Sequence, residues 1–308
     1  MSVLVVGSIA LDTVKTPFGE VKEALGGSAT YFALSANHYT QVSLVAVVGS
    51  DFPKKHLRLF KRRGIDTKGL KIKKGKTFRW KGYYEYDLNQ AHTQKTELNV
   101  FRTFHPKIPE KYKRIEYIFL ANIDPQLQLS VLRQVKRPKL VLCDTMNYWI
   151  EKKRKELLLT LKEVDILLLN DSEARELTGE HSLFKASRRI LKMGPETVII
   201  KKGEHGALMW SENSHFAAPG YPLEDINDPT GAGDSFAGGF LGFLAYTNDL
   251  CEENIRKAIV FGSVMASYNV EDFSIERLKG LKDKEIIERY REFKRMTHFE
   301  DLSGEVIE

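Results

Sequence analysis

Short unbroken apolar runs recur along the chain at residues 3–6, 42–48, 117–121, 140–144, 164–170 and 197–201. Runs of that length without alternation are the mark of strands covered on both faces, as in a parallel sheet. Helical periodicity near 126–136, 150–162 and 182–193 lies between them, so the βαβ alternation predicts a sheet with helices on both sides. An amphipathic helix is predicted over 53–63 with Gly64 as its stop, another over 254–268, and a charged amphipathic helical tail from Ile275. Two stretches break this rhythm. Residues 13–24 hold Pro17 and Gly19 between β-prone pieces, as in a hairpin leaving the main sheet. From Phe78 the chain alternates, with Phe78, Trp80, Tyr84 and Tyr86 on one face and Arg79, Lys81, Tyr83, Glu85 and Asp87 on the other. With 97–104 as its second strand, this predicts a further hairpin, and the excursions near 13–24 and 70–104 together predict a small β lid on one domain spanning 1–308.

The most informative stretch is DPTGAGDSFAGGF, residues 228–240. Pro229 sets an extended entry, Gly231, Ala232 and Gly233 permit a tight turn, and Ser235, Phe236, Ala237, Phe240 and Leu241 then repeat at helical spacing. Amides at the mouth of a helix lack intrahelical partners and sit at its positive pole, which suits an anion such as phosphate. Asp234 stands in the first turn. A carboxylate there opposes a simple phosphate clamp, which points to a second task, taking the proton of an attacking hydroxyl. The plainer alternative is an ordinary helix start with a first-turn acid. The opening strand leads into GSIALD where a dinucleotide fold needs GxGxxG, and Gly75-Lys76-Thr77 lacks the glycine a P-loop needs at position 70, where Leu70 stands.

The complete run 228–240 resembles the C-terminal signature of the ribokinase (PfkB) family of ATP-dependent carbohydrate and nucleoside kinases. The resemblance implies a three-layer α/β/α ribokinase-like fold with a mostly parallel central sheet and a β lid. It further implies Asp234 as catalytic base and the amides of Gly231, Ala232 and Gly233 as an anion hole. Other matches follow in the family's order. Asp12, soon after the first strand, and the glycine pair Gly26-Gly27 are similar to acceptor-binding elements, as is Asp144 at the end of a later strand. Asn170 and Glu173 match an NxxE element that organises Mg²⁺ through water, although NxxE is also a common helix cap. Lys201, Gly203 and Gly206 align with the nucleotide-binding TxGxxG turn, Ser263 with an adenine-pocket residue, and Asp228 with a position that holds a monovalent cation such as K⁺ in some relatives. Tyr31 stands where many sugar kinases carry Asn. The acceptor therefore stays open among sugar, sugar phosphate and nucleoside, and a silent nucleotide- or sugar-binding module is the rival from another class.

Composition narrows little beyond this. The net charge of +6 is spread among interleaved acids and bases rather than gathered in a stripe, which argues against nucleic-acid binding. The two cysteines, Cys143 and Cys251, are far apart and suggest neither a disulfide framework nor a zinc site. With no apolar run near the ~20 residues of a membrane span, a cytoplasmic location away from membranes is expected, with homodimerisation through the lid.

Overall fold

The apolar runs become the centre of a nine-stranded sheet, and the computed structural model describes residues 1–299. In chain order the elements are β1 (Ser2–Val6), β2 (Ala10–Thr16), β3 (Gly19–Gly26), α1 (Ser28–Ala36), β4 (Gln41–Gly49), α2 (Lys54–Arg62), β5 (Asp66–Lys73), β6 (Phe78–Tyr84), β7 (Ala91–Glu97) and β8 (Tyr117–Leu120). There follow α3 (Pro125–Leu132), β9 (Leu140–Asp144), α4 (Asn147–Lys152), α5 (Arg154–Leu161), β10 (Ile166–Asn170), α6 (Asp171–Thr178), α7 (Leu183–Leu191) and β11 (Thr197–Lys201). The chain continues through β12 (Ala207–Ser211), β13 (His215–Ala218), α8 (Ala232–Thr247), α9 (Glu252–Asn269), α10 (Glu276–Gly280) and α11 (Asp283–Thr297).

The large sheet runs β13-β12-β11-β10-β9-β8-β1-β4-β5, parallel from β11 to β5 and antiparallel at β12 and β13. Strand β1 shows why its residues are apolar throughout. Val3 and Val5 enter one core with Phe32, Phe240 and Met265, while Leu4 and Val6 enter the opposite core with Val131, Leu157 and Ile190. Helices α1, α8 and α9 thus cover one face and α3, α5, α6 and α7 the other, the three-layer arrangement expected. Because the order departs from β1 in both directions, the C-terminal edge of the sheet carries a crevice, where ligands of open α/β sheets bind.

The lid is a separate four-stranded sheet, β3-β2-β6-β7. Its boundaries differ from expectation in two places. Residues 66–73 form an edge strand of the main sheet, so the second lid excursion begins at Phe78 rather than near 70. The partner of β6 is β7, Ala91–Glu97, whereas Asn99–Thr103 within the expected strand 97–104 is a 3₁₀ helix. Strand β7 (AHTQKTE) is nearly devoid of apolar side chains, so it is held by backbone pairing on an exposed sheet and leaves no hydrophobic pattern to read. The antiparallel β12 and β13 likewise had no counterpart in the periodicity.

Candidate active site

Strand ends bring the acidic residues together. Asp12 lies inside lid strand β2, just past β1, and Asp144, Asn170 and Lys201 terminate β9, β10 and β11 in adjacent positions along one edge. Asp234 enters from α8 on the covering layer.

Backbone close approach shapes the surroundings of Asp12. A Cβ on Gly26 would fall 1.8 Å from Asp12 Oδ2, so only glycine lets this carboxylate lie against the β3 backbone. Gly27 is left-handed (φ 92°) and a Cβ there would meet Ser8 O at 2.6 Å; it is the N-cap of α1. Ser28 is already helical, and its hydroxyl pairs with Ser8 N and Ser8 Oγ at 3.3 and 3.1 Å. Burial pushes the Asp12 carboxyl up to about 7, with the Asp228 charge adding to the rise and the Gly27 N–H opposing it. Tyr31 is buried with its ring over Gly231, where a Cβ would stand 2.4 Å from ring carbons. Tyr84 of the lid reaches the same turn, its hydroxyl 3.3 Å from Thr230 Oγ1.

The turn at 228–234 opens α8 as expected, with a reassignment among its amides. Gly231 is left-handed (φ 79°) and Ala232 N–H donates to Pro229 O at 3.1 Å, closing the turn. Among the described residues no acceptor is recorded for the N–H groups of Gly231, Gly233 and Asp234. The open amides are thus Gly233 and Asp234 at the helix mouth, with Gly231 before them, and Ala232 contributes by folding the turn. Asp234 is half-buried; desolvation pushes its carboxyl up to about 7, Asp144 and Asp12 add to this and Lys201 pulls it down. Asp228 is spent on the backbone, Oδ1 accepting from Thr230 N at 2.9 Å and Oδ2 from Ser274 N at 3.0 Å.

At the end of β10, Asn170 and Glu173 form a reciprocal capping box: Asn170 Oδ1 accepts Glu173 N at 2.8 Å and Glu173 Oε2 accepts Asn170 N at 2.7 Å. The cap and the ligand reading coexist, because Glu173 keeps Oε1 uncommitted; burial, then the Asp144 charge, push its carboxyl up to about 7. Lys201 Nζ donates to Asp144 Oδ2 at 3.0 Å, joining the ends of β9 and β11. Gly203 and Gly206 are left-handed, and a Cβ on Gly206 would come 2.1 Å from Ala218 O. Ser263, in α9, donates its hydroxyl to Ile259 O at 3.1 Å, within its own helix. Asn89 at the lid tip had no signal in the sequence, yet its Nδ2 donates to Glu204 Oε1 at 3.4 Å, bringing the lid onto the turn that starts at Gly203.

A parallel α/β edge with open helix-mouth amides, a carboxylate beside them and a lid over both defines a phosphotransferase whose acceptor is a hydroxyl. A model of the pfkB family carbohydrate kinases matches residues 2–276. A cytidine kinase of Thermococcus kodakarensis is 32% identical over 247 residues, spanning 78% of this chain and 87% of that protein. The solved nucleoside kinase of Methanocaldococcus jannaschii has a TM-score of 0.75 at 21% identity, covering 94% of this chain and 98% of that one. A putative ribokinase II from E. coli, solved with ATP and Mg²⁺, gives 0.76 at 17% identity, covering 94% and 99%. The chain belongs to the pfkB family, and it is a kinase transferring phosphate from ATP to a hydroxyl of a sugar or nucleoside.

Proposed function

We propose that the acceptor is a nucleoside and that its primary alcohol receives the phosphate. The observation that carries the reaction is Asp234 beside the open amides of Gly233 and Asp234. Asp234 takes the proton from the attacking hydroxyl, and the amides meet the charge of the phosphoryl group as it moves. Asp12 orients the acceptor's hydroxyls, with Gly26 and Gly27 admitting it to the backbone. Tyr84 supplies aromatic surface suited to a base, and a relative 32% identical over 78% of this chain is a cytidine kinase, whereas a 2-dehydro-3-deoxygluconokinase spanning the same share is 25% identical. A sugar phosphate is disfavoured, because Arg79, the cation nearest such a role, is tied to Asp51 at 2.8 Å and Glu23 at 2.7 Å.

Asn170, Lys201, Gly203, Gly206 and Ser263 frame the nucleotide. Mg²⁺ fits the donor set as a hydrated ion: among the described residues no cluster of three or more acidic, His or Cys side chains forms a protein cage, and Glu173 retains one oxygen for a bound water. When bound, the ion offsets charge on the phosphates. Asp228 clamps the turn, and activity in K⁺ against choline tests a monovalent ion beside it.

We also read the chain as a cytoplasmic homodimer paired through the lid, whose turns expose Phe18 (52%) and Tyr86 (83%) in edge contact. Among the described residues no helix is long and apolar enough to cross a membrane. A single-species monomer in sedimentation would remove the dimer.

The deciding assay is coupled ADP release with cytidine, adenosine, ribose, fructose and fructose 6-phosphate. Turnover should favour a nucleoside, and Asp234→Asn should lower kcat by about 10²–10⁴ with acceptor KM little changed. Tight ATP binding without ADP release from any acceptor would leave a binding module instead.

A further inference from the structure

A cation, Lys201, lies among the acids of the cleft. Lys201 is 17% exposed at its side chain and is shadowed by the carboxylates of Asp144, Glu173 and Asp234. Burial lowers its pKa, and Asp144 and Glu173 more than reverse that, raising it overall. Strand β10 runs between β9 and β11, so Lys201 arches over the end of β10 to reach Asp144. An ammonium has three donors. The bond to Asp144 at 3.0 Å is the one recorded for Lys201 Nζ among the described residues, so two donors remain for another partner. Their location is defined by Gly233: a Cβ on that residue would lie 2.9 Å from Nζ. The lysine head therefore lies beside Gly233, whose N–H is also open.

We propose that Lys201 exchanges partners during the reaction, resting on Asp144 in the free enzyme and turning to the terminal phosphoryl group when the nucleotide arrives. This rests on the kinase reading above. The acids around the site repel a triphosphate, and the tether keeps Lys201 protonated and within a short swing of the anion hole. Lys201 is then a catalytic residue and Asp144 a positioning residue that competes with the nucleotide for it. With the terminal phosphoryl group on the open amides, that group is the one Lys201 meets, so binding is expected to distinguish ATP from ADP.

The test is calorimetric binding of ADP and of a non-hydrolysable ATP analogue with a β,γ-methylene bridge, together with kcat, for wild type, Lys201→Met, Lys201→Arg and the pair Lys201→Met/Asp144→Asn. Lys201→Met should weaken the analogue about tenfold more than ADP and lower kcat by about 10²–10³, the worth of one preorganised donor; Lys201→Arg should restore part of both. The double variant guards against misfolding, since it leaves no unpaired buried carboxylate at Asp144, and it should show the same loss of analogue preference. Equal weakening of ADP and analogue, or unchanged preference in a folded variant, overturns the proposal. A wild type that releases no ADP from any acceptor overturns the kinase reading, while the binding ratio still judges Lys201.

Discussion

At the scale of single residues, the cleft shows how a backbone can be built around one side chain. Asp12 is legible as a carboxylate near a strand end, but its place against β3, and with it the proposed hold on the acceptor, depends on Gly26, whose hydrogen lies where a methyl would overlap Oδ2. Gly26→Ala must therefore displace the carboxylate. We expect KM for the acceptor to rise at least about tenfold, with KM for ATP near its wild-type value, a split read directly from steady-state kinetics. Loss of both in parallel would mean that Gly26 serves the fold at large. The pairing of Asp144 with Lys201 was not legible, because 57 positions separate them and no periodicity links the ends of β9 and β11. Sheet order, invisible in the chain, sets who the neighbours of Asp144 are.

At the scale of elements, the lid couples parts of the site that are remote in sequence. Strand β6 brings Tyr84 to Thr230, and the following turn brings Asn89 to Glu204, so one hairpin touches both the turn before α8 and the turn that starts at Gly203. Tyr84→Phe removes the hydroxyl contact and keeps the ring. At a net worth of about 0.5–1.5 kcal/mol for one such hydrogen bond, acceptor KM should rise roughly two- to tenfold while the melting temperature falls by no more than a few degrees. An unaltered KM would show that the contact does no work in closing the lid. The expectation of a hairpin here was sound and its second strand was misplaced. Residues 97–104 look more strand-like than 91–97, because Val100, Phe101 and Phe104 are apolar; those side chains instead pack a 3₁₀ turn against the main body.

At the scale of the whole molecule, burying carboxylates around one cleft leaves a signature in stability. Asp12, Glu173 and Asp234 are held up to about 7 from ordinary values of 3.8, 4.5 and 3.8. A raised acid binds its proton more tightly when folded, so between those limits the native state carries more protons than the unfolded chain, and stability falls as pH rises through the window. The melting temperature of the ligand-free protein should decline from about pH 5 to about pH 7, against the usual trend of paired surface acids, and Asp12→Asn should flatten part of that slope. A flat or rising profile would show that these carboxyls titrate normally. The cost of ionising them together is what a cation such as Lys201 and an incoming Mg²⁺–nucleotide offset.

What the sequence determined by itself is what short-range physics encodes: unbroken apolar runs become strands buried on both faces, and a glycine turn followed by helical spacing becomes a helix with open amides. The motif 228–240 was enough to place Asp234 beside those amides, since turn and helix start are local. Tertiary structure alone decided which amide is consumed in closing the turn, that β5 joins the main sheet and β7 the lid, and that Lys201 lies across β10 against Asp144. These depend on strand order and on packing between distant segments, where the chain's own periodicity carries no address.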